Sequence, residues 1–142
     1  TSEEMLVEVH GTGALAECQT CGARNPVEAS FAQFKQTRQP PICECGGYLK
    51  PATISFGQNL READLTRAFA AAASADLVIA LGSPLSVSPA NAILLAAAQA
   101  GTPYIIINRD ETDHDSLPQV SLRLTGNVEE MFPPAVDDAL AN

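Results

Sequence analysis

The chain has 142 residues, of which 46% are apolar and 18% charged, and its formal net charge is −9. This length fits one domain, and the apolar fraction excludes a disordered chain. The acidic balance argues against a nucleic-acid partner, because neutralising phosphates requires clustered Lys and Arg. The longest apolar runs, such as Leu77–Leu81 and Ala90–Ala98, are too short to span a bilayer, and the N-terminus lacks a signal-like apolar core. We therefore expect a soluble, cytoplasmic protein that binds neither nucleic acid nor membrane.

Three segments differ in composition along the chain. Residues 1–10 predict a short alternating strand that ends at His10. Residues 11–50 hold all four cysteines and scattered Gly and Pro, with little helical periodicity. Residues 51–142 are rich in Ala, Ile, Leu and Val and alternate between helical and strand-like patterns. We expect a separate small module at residues 11–50.

Strands alternate with helices in the third segment. The predicted helices are Glu62–Ser74, Pro89–Ala100 and Asn127–Leu140, the last one interrupted near Pro133 and Pro134. The predicted strands are Asp76–Leu81, Tyr104–Asn108 and Ser121–Leu124, and the first two are apolar enough to be buried on both faces. This alternation is typical of a parallel, doubly wound α/β sheet.

The four cysteines have the spacing of a metal site. Two residues separate Cys18 from Cys21, and one separates Cys43 from Cys45. Such pairs can present four thiolates to one tetrahedral Zn²⁺, which would be structural because no position stays open for water. Two disulfides, or four reduced core cysteines, are the alternatives, although a disulfide across so few residues is strained.

Small and polar residues follow the predicted strands at one edge of the sheet. Gly82-Ser83-Pro84 comes after one strand, and Asn108 ends the next. Ligands of parallel sheets collect at the carboxyl ends of the strands, where helix N-termini offer N–H donors to phosphate. Together these residues predict one rim of a site for a nucleotide-like ligand, although each of them alone is common in loops.

Three further positions are ambiguous from the residues alone. His10 is either catalytic or, more often for a single histidine, structural. His114 lies in an acidic loop, where we expect a solvated side chain. The Phe56-Gly57-Gln58 segment either lines a cleft or forms an ordinary turn.

In chain order, these motifs resemble the sirtuin family of NAD-dependent protein-lysine deacylases. The resemblance is carried by Val9-His10-Gly11, Cys18, Cys21, Cys43, Cys45-Gly46-Gly47, Leu49-Lys50-Pro51, Phe56-Gly57, Ala75-Asp76-Leu77-Val78, Gly82, Leu85, Val87, Pro89-Ala90, Ile106-Ile107-Asn108, Thr112 and Asp115. It implies a small four-cysteine zinc lobe joined to part of a Rossmann-like parallel sheet of the DHS-like NAD-binding type. In this division residues 51–142 form the C-terminal part of the NAD-binding lobe.

The resemblance also implies a role for each motif. The acyl group of acyl-lysine would be transferred to ADP-ribose with release of nicotinamide, and His10 would be the general base that helps deprotonate a ribose hydroxyl. The residues implied to contact NAD are Gly82, Ser83, Pro84, Asn108, Arg109, Asp110 and Val128. The residues implied to hold an acyl-lysine protein or peptide, as an added strand, are Phe56, Gly57, Gln58, Ser86, Val87 and Ser88.

The sequence departs from the family pattern in three ways. Where the family usually has Gly-Thr-Ser-Leu, this chain has Gly82-Ser83-Pro84-Leu85, so Pro84 replaces a serine, and Gln58 stands where the family usually has glutamate. The Gly-Ala-Gly loop and the Asn-Asp pair that precede the histidine in a sirtuin are absent before His10. We therefore expect the chain to be the C-terminal part of a sirtuin and to be inactive alone. We also expect a missing N-terminal segment or a second chain to complete its sheet. The alternative is a non-catalytic, zinc-stabilised binding or scaffold module.

Overall fold

The computed structural model describes residues 5–141, which form two compact units. The first unit ends at Asp64 and the second begins at Leu65. The sequence-based segments instead divide the chain between residues 50 and 51, in the middle of a strand that belongs to the first unit.

The first unit is built on a three-stranded antiparallel sheet. Its elements are β1 (Gly11–Cys18), β2 (Arg24–Pro26), α1 (Val27–Thr37) and β3 (Leu49–Thr53), and the strand order is β2-β1-β3. Ala16, Cys18, Val27 and Ala52 are its buried apolar residues. Because these side chains are small, apolar burial alone gives this unit a modest core.

The strand predicted to end at His10 is wrong for residues 5–10, and residues 1–4 lie outside the described part. Val9 and His10 form a turn, closed by a 2.8 Å hydrogen bond from Gly11 N to Glu8 O. Gly11 has a φ of +71°, and a Cβ there would collide with the Ala52 carbonyl. The chain therefore reverses at His10, and β1 begins only at Gly11.

Helix α1 was not predicted, because its sequence lacks a clear apolar face. Only Val27 and Ser30 are buried in it, whereas Phe31 and Phe34 stay largely exposed. The helix ends at Thr37, and the next residue, Arg38, has a left-handed φ of 57° and donates its N–H to Phe34 O. This cap stabilises the last turn.

The second unit contains the predicted parallel sheet. Its elements are α2 (Glu62–Ala73, whose first turn crosses the boundary between the units), β4 (Val78–Leu81), α3 (Ala90–Gln99), β5 (Tyr104–Asn108), β6 (Leu122–Thr125) and α4 (Val128–Ala141). The order is β4-β5-β6, with both pairs parallel. The α/β fold with a parallel sheet is thus confirmed.

The central strand β5 carries the core of the second unit. Tyr104, Ile106 and Ile107 are buried, and the adjacent pair Ile106–Ile107 shows that both faces of β5 are covered. The edge strand β4 is less enclosed, since Leu81 at its end is 36% exposed. Burial on both faces is confirmed for β5 and only in part for β4.

The interruption predicted in the last helix is wrong. Helix α4 runs through Pro133 and Pro134 without a break. The two prolines remove the N–H groups that would bond the carbonyls of Glu129 and Glu130, but their fixed φ fits a helix. No residue of α4 is buried, so water can solvate the freed carbonyls.

None of the described helices has the length and hydropathy to cross a membrane.

Candidate functional site

The four cysteines of the first unit form one cluster. Their sulfur atoms lie within 4.8 Å of one another. Cys18 Sγ is 3.5 Å from Cys45 Sγ, and Cys21 Sγ is 3.8 Å from Cys43 Sγ. These distances exclude disulfide bonds, and tetrahedral zinc with Zn–S bonds of about 2.3 Å places its sulfurs about 3.8 Å apart. The donor set therefore fits zinc.

Two tight turns bring the cysteine pairs together. In the first, Gly22 N donates to Cys18 O, and Thr20 N points at Cys18 Sγ across 3.4 Å. In the second, Gly46 N donates to Cys43 O, and Cys43 N donates to Gly47 O. Gly22 and Gly46 have φ values of +72° and +84°, which a side chain would strain.

The close thiols also perturb one another's acidity. Backbone N–H groups of Cys21 and Thr20 lower the pKa of Cys18 to about 6. The Gly47 N–H lowers the pKa of Cys45, but the thiols of Cys21 and Cys18 oppose it, and the pKa rises to about 12. Four thiolates so close repel each other, which a divalent cation would relieve.

Gly47 leaves no room for a side chain beside the cluster. A Cβ there would lie 2.5 Å from Thr20 Oγ1 and 2.7 Å from Cys18 Sγ. We expect Gly47→Ala to destabilise the zinc-loaded protein by about 1–3 kcal/mol in denaturant unfolding, because the turn must shift. Gly13→Ala is the matched control, since a Cβ at Gly13 meets nothing within 4 Å. Equal losses of unfolding free energy in the two variants would contradict the close packing at Gly47.

His10 and the Phe56-Gly57-Gln58 segment both lie in the first unit. The His10 side chain is exposed, and its carbonyl accepts the Ile54 N–H at 2.9 Å. Phe56 is 97% exposed, and Gly57 has a φ of +85°. Gln58 Oε1 accepts the Ser55 N–H at 2.9 Å, which closes the turn. An apolar ring presented to solvent on a closed turn suits ligand binding better than stability.

The second unit has a cleft at the carboxyl ends of its strands. Its volume is about 520 Å³, and six of the seven residues implied to contact NAD line it, namely Gly82, Pro84, Asn108, Arg109, Asp110 and Val128. Ser83 does not line it, and its Oγ accepts the Leu85 N–H instead. The structure thus brings together residues that are up to 46 positions apart (128 − 82) in the sequence.

Arg123 fixes one wall of this cleft. Its guanidinium donates to Asn108 O at 2.9 Å and to Asp110 O at 2.6 Å, and it pairs with Asp115 at 2.8 Å. The side-chain hydrogen bond from Thr112, followed by that from Arg123, lowers the pKa of the Asp115 carboxyl. The loop after β5 is therefore held by side chains that do not themselves line the cleft.

The start of α4 supplies cleft residues that sequence reasoning missed. These are Gly126, Asn127 and Glu129, which join Glu111 from the loop after β5. Asn127 Oδ1 accepts the Glu129 N–H at 3.1 Å, as a helix N-cap does. An Asn as the first residue of the predicted helix, Asn127–Leu140, is a cap signal that could have identified this residue.

The Ser86-Val87-Ser88 segment also lies in the second unit, in an exposed loop before α3. The Asn91 side chain donates to Leu85 O at 3.0 Å, and Asn91 N donates to Val87 O at 3.0 Å. Leu85 is buried with a φ of +56°, which anchors the base of the loop. The exposed serines are thus presented on a loop that is fixed at both ends.

The solvated side chain predicted for His114 is wrong. His114 is only 4% exposed, and its Nδ1 lies 3.0 Å from the Tyr104 hydroxyl. Burial, followed by the charge of Asp115, raises the pKa of Tyr104 to about 12. His114 is therefore a core residue, although the acidic residues beside it in the sequence indicate exposure to solvent.

Comparisons with known proteins agree on one family. The model of the Sir2 family matches residues 1–89. The chain is 40% identical to "NAD-dependent protein deacetylase 1" of Geobacillus kaustophilus, over 79% of this chain and 44% of that protein. It is 34% identical to "NAD-dependent protein deacetylase 1" of Pyrobaculum aerophilum, over 93% of this chain and 51% of that protein.

Solved structures show the same likeness. A structure described as "Sir2-p53 peptide-NAD+" matches with a TM-score of 0.84 and 27% identity, over 96% of this chain and 56% of that one. Another, "Sir2 bound to acetylated peptide", matches with a TM-score of 0.85 and 26% identity, over the same shares of the two chains. The chain spans about half the length of the curated relatives that it matches.

Proposed function

Because the chain belongs to the Sir2 family, we propose that it is part of an NAD-dependent protein-lysine deacylase. The complete protein would transfer the acyl group of acyl-lysine to ADP-ribose and release nicotinamide. The cleft carries this proposal, since it gathers six of the seven residues that the family resemblance implies to contact NAD. The names of the relatives also favour this enzyme over the non-catalytic scaffold.

We assign NAD binding to the cleft at the start of α4. The N-terminus of a helix carries a partial positive charge, which favours a phosphate, although the Glu129 N–H of α4 is already taken by Asn127 Oδ1. Asn108 and Arg109 line the same cleft and add an amide and a guanidinium. Pro84 has no N–H, so it can contribute shape but no hydrogen-bond donor. The cosubstrate supplies the ribose carbon that accepts the acyl oxygen.

We assign the proton transfer to His10. Its imidazole is exposed, so substrate can reach either ring nitrogen. A histidine suits this step, because an imidazole can accept a proton at one ring nitrogen while the other donates a hydrogen bond. The turn closed by Gly11 N and Glu8 O fixes the backbone that carries the ring.

We assign the acyl-lysine protein or peptide to two exposed segments. In the first unit, Phe56-Gly57-Gln58 presents backbone and an exposed aromatic ring beyond the end of β3. In the second unit, Ser86-Val87-Ser88 presents exposed backbone in the loop before α3. Extended peptides bind such segments by backbone hydrogen bonds, which tolerate many substrate sequences.

We assign Zn²⁺ to Cys18, Cys21, Cys43 and Cys45 as a structural ion. The four thiolates fill its tetrahedral shell, so the ion stabilises the fold without activating water. The four thiols are free, a state that reducing compartments maintain, and we propose the cytoplasm as the location.

Alanine substitutions at two glycines of the second unit, Gly82 and Gly101, test the assignment of NAD to the cleft. We expect Gly82→Ala to weaken NAD binding by about tenfold in calorimetry, because its Cβ enters the cleft wall 3.6 Å from Val128 Cγ2. Gly101→Ala is the matched control, since Gly101 also has a positive φ (+100°) but does not line the cleft. Equal affinities of the two variants for NAD would contradict the assignment.

The exposed edge strand β4 predicts a strand-pairing partner for the parallel sheet. Among the described strands, β4 pairs only with β5, and Leu77 and Leu81 beside this edge are 45% and 36% exposed. Such an edge is a template for strand pairing. We propose that an N-terminal segment or a second chain supplies the neighbouring strand.

Sedimentation of the 142-residue chain tests this pairing. At micromolar concentration we expect oligomers, because the β4 edge otherwise stays open. Adding separately produced N-terminal segment should convert these oligomers into a defined complex. A folded chain that stays strictly monomeric, with and without that segment, would contradict the proposal.

A further inference from the structure

Charged side chains gather on one face of the first unit's sheet. Glu17 on β1 accepts hydrogen bonds from Arg24 Nε at 2.6 Å and from Arg61 Nη2 at 2.7 Å. Lys50 on β3 lies close enough to act on Glu17 electrostatically. Three of the chain's eight basic residues therefore meet here, although the chain as a whole carries a net charge of −9.

The cluster has more positive than negative charge. The hydrogen bond from Arg24 is the main cause that lowers the pKa of the Glu17 carboxyl, which stays ionised. Three cations against one carboxylate leave two positive charges. In the described part of the chain, Lys50 has no carboxylate within 4.0 Å and instead donates to Thr53 O at 2.6 Å.

A cavity of about 180 Å³ opens beside these groups. Lys50, Arg61, Gln58 and Asn59 line it together with Glu17, its one carboxylate, which is already paired with Arg24 and Arg61. Lys50 Nζ lies 3.4 Å from Gln58 Oε1, which is a neutral acceptor and cannot compensate the ammonium. The cavity is therefore a small polar pocket with an unneutralised cation in its wall.

The pocket is continuous with the segment that we assign to the peptide. Gln58 belongs to both, and Ile54 and Thr53 connect the pocket to the end of β3. A peptide that lies along Phe56-Gly57-Gln58 would place a side chain next to the acyl-lysine at the pocket mouth. A carboxylate is the side chain whose charge and acceptor atoms match Lys50 and Arg61.

We propose that this pocket binds an acidic side chain of the substrate peptide, so that Lys50 and Arg61 select substrates with Asp or Glu near the acyl-lysine. The inference rests on the proposed function, because the path of the peptide is taken from that proposal. It adds a specificity determinant to the first unit, separate from the histidine, the cysteine cluster and the cleft.

Paired peptides test the pocket in the complete protein. Acyl-lysine peptides carry Glu or its neutral isostere Gln at each flanking position in turn, and kcat/KM is measured for each pair at low salt. We expect one position where Glu exceeds Gln by about two- to fivefold, the range of a partly exposed ion pair, with the preference decreasing as salt rises. Lys50→Met should bring this ratio close to one.

Two further variants make the test specific. Lys35→Met is the matched control, since Lys35 is exposed on α1 outside the pocket and its loss changes the net charge equally. The Glu-to-Gln ratio should be unchanged in it. Gln58→Glu places a carboxylate beside Lys50 and should also abolish the preference.

The outcomes separate this inference from the proposed function. Turnover with equal rates for Glu and Gln at every position, or a preference that survives Lys50→Met, would overturn the pocket alone. No turnover of any peptide would contradict the deacylase instead. In that case fluorescence anisotropy of the same labelled peptides decides the pocket, because tighter binding of Glu that Lys50→Met abolishes supports it and equal affinities contradict it.

Discussion

Replacement of His10 by alanine is expected to abolish NAD-dependent deacylation by the complete protein, with a loss of at least about 10²–10⁴-fold in kcat. The imidazole is the proposed proton acceptor, and no other described histidine is exposed, since His114 is buried. The measurement is the steady-state rate of nicotinamide release with an acyl-lysine peptide.

The fold should survive this change. The His10 side chain is exposed, and the hydrogen bond that its residue accepts from Ile54 N uses the backbone carbonyl, which alanine retains. We expect the free energy of unfolding to change by less than about 0.5 kcal/mol, as for other surface substitutions. A His10→Ala protein that keeps more than a few per cent of the wild-type rate would remove His10 from this role.

Removal of zinc is expected to unfold the first unit. One Zn²⁺ per chain should be bound, and its loss should cost on the order of 10 kcal/mol of folding free energy, because the buried apolar residues of this unit are few and small. Chelation followed by hydrogen exchange should expose the amides of β1, β3 and α1. The amides of β5 should keep their protection.

Variants of the cysteines provide the control for chelation. Cys21→Ser should reproduce the exchange pattern of the chelated protein, since three thiolates leave the shell incomplete. Absence of stoichiometric zinc in protein purified under reducing conditions would contradict the metal assignment. Exchange that is unchanged by chelation would show that the first unit folds without the ion.

Much of the second unit could be predicted from its sequence. The strand Tyr104–Asn108 has the predicted bounds, and the helix predicted over Glu62–Ser74 ends one residue earlier, at Ala73. Long apolar runs between glycines and alanine-rich segments leave few alternatives there. The cysteine cluster was predictable for a different reason, since its spacing reflects the geometry of one ion.

Features that depend on tertiary contacts were not predictable. The packing that buries His114 against Tyr104 joins two chain segments, and the acidic residues beside His114 indicate solvent instead. Helix α1 exposes its two phenylalanines, so it lacks the periodicity that identifies a helix. Arg123 holds the cleft wall by hydrogen bonds to backbone carbonyls. Every residue has a backbone carbonyl, so the sequence does not show which ones a side chain binds.

The fate of the acyl group distinguishes transfer to ADP-ribose from simple hydrolysis of the acyl-lysine amide. The complete protein is incubated with NAD and a peptide whose lysine carries an isotopically labelled acyl group, and the products are analysed by mass spectrometry. We expect the label on ADP-ribose, with one nicotinamide released for each lysine deacylated. Label recovered only as the free carboxylic acid, with NAD unconsumed, would contradict transfer to ADP-ribose.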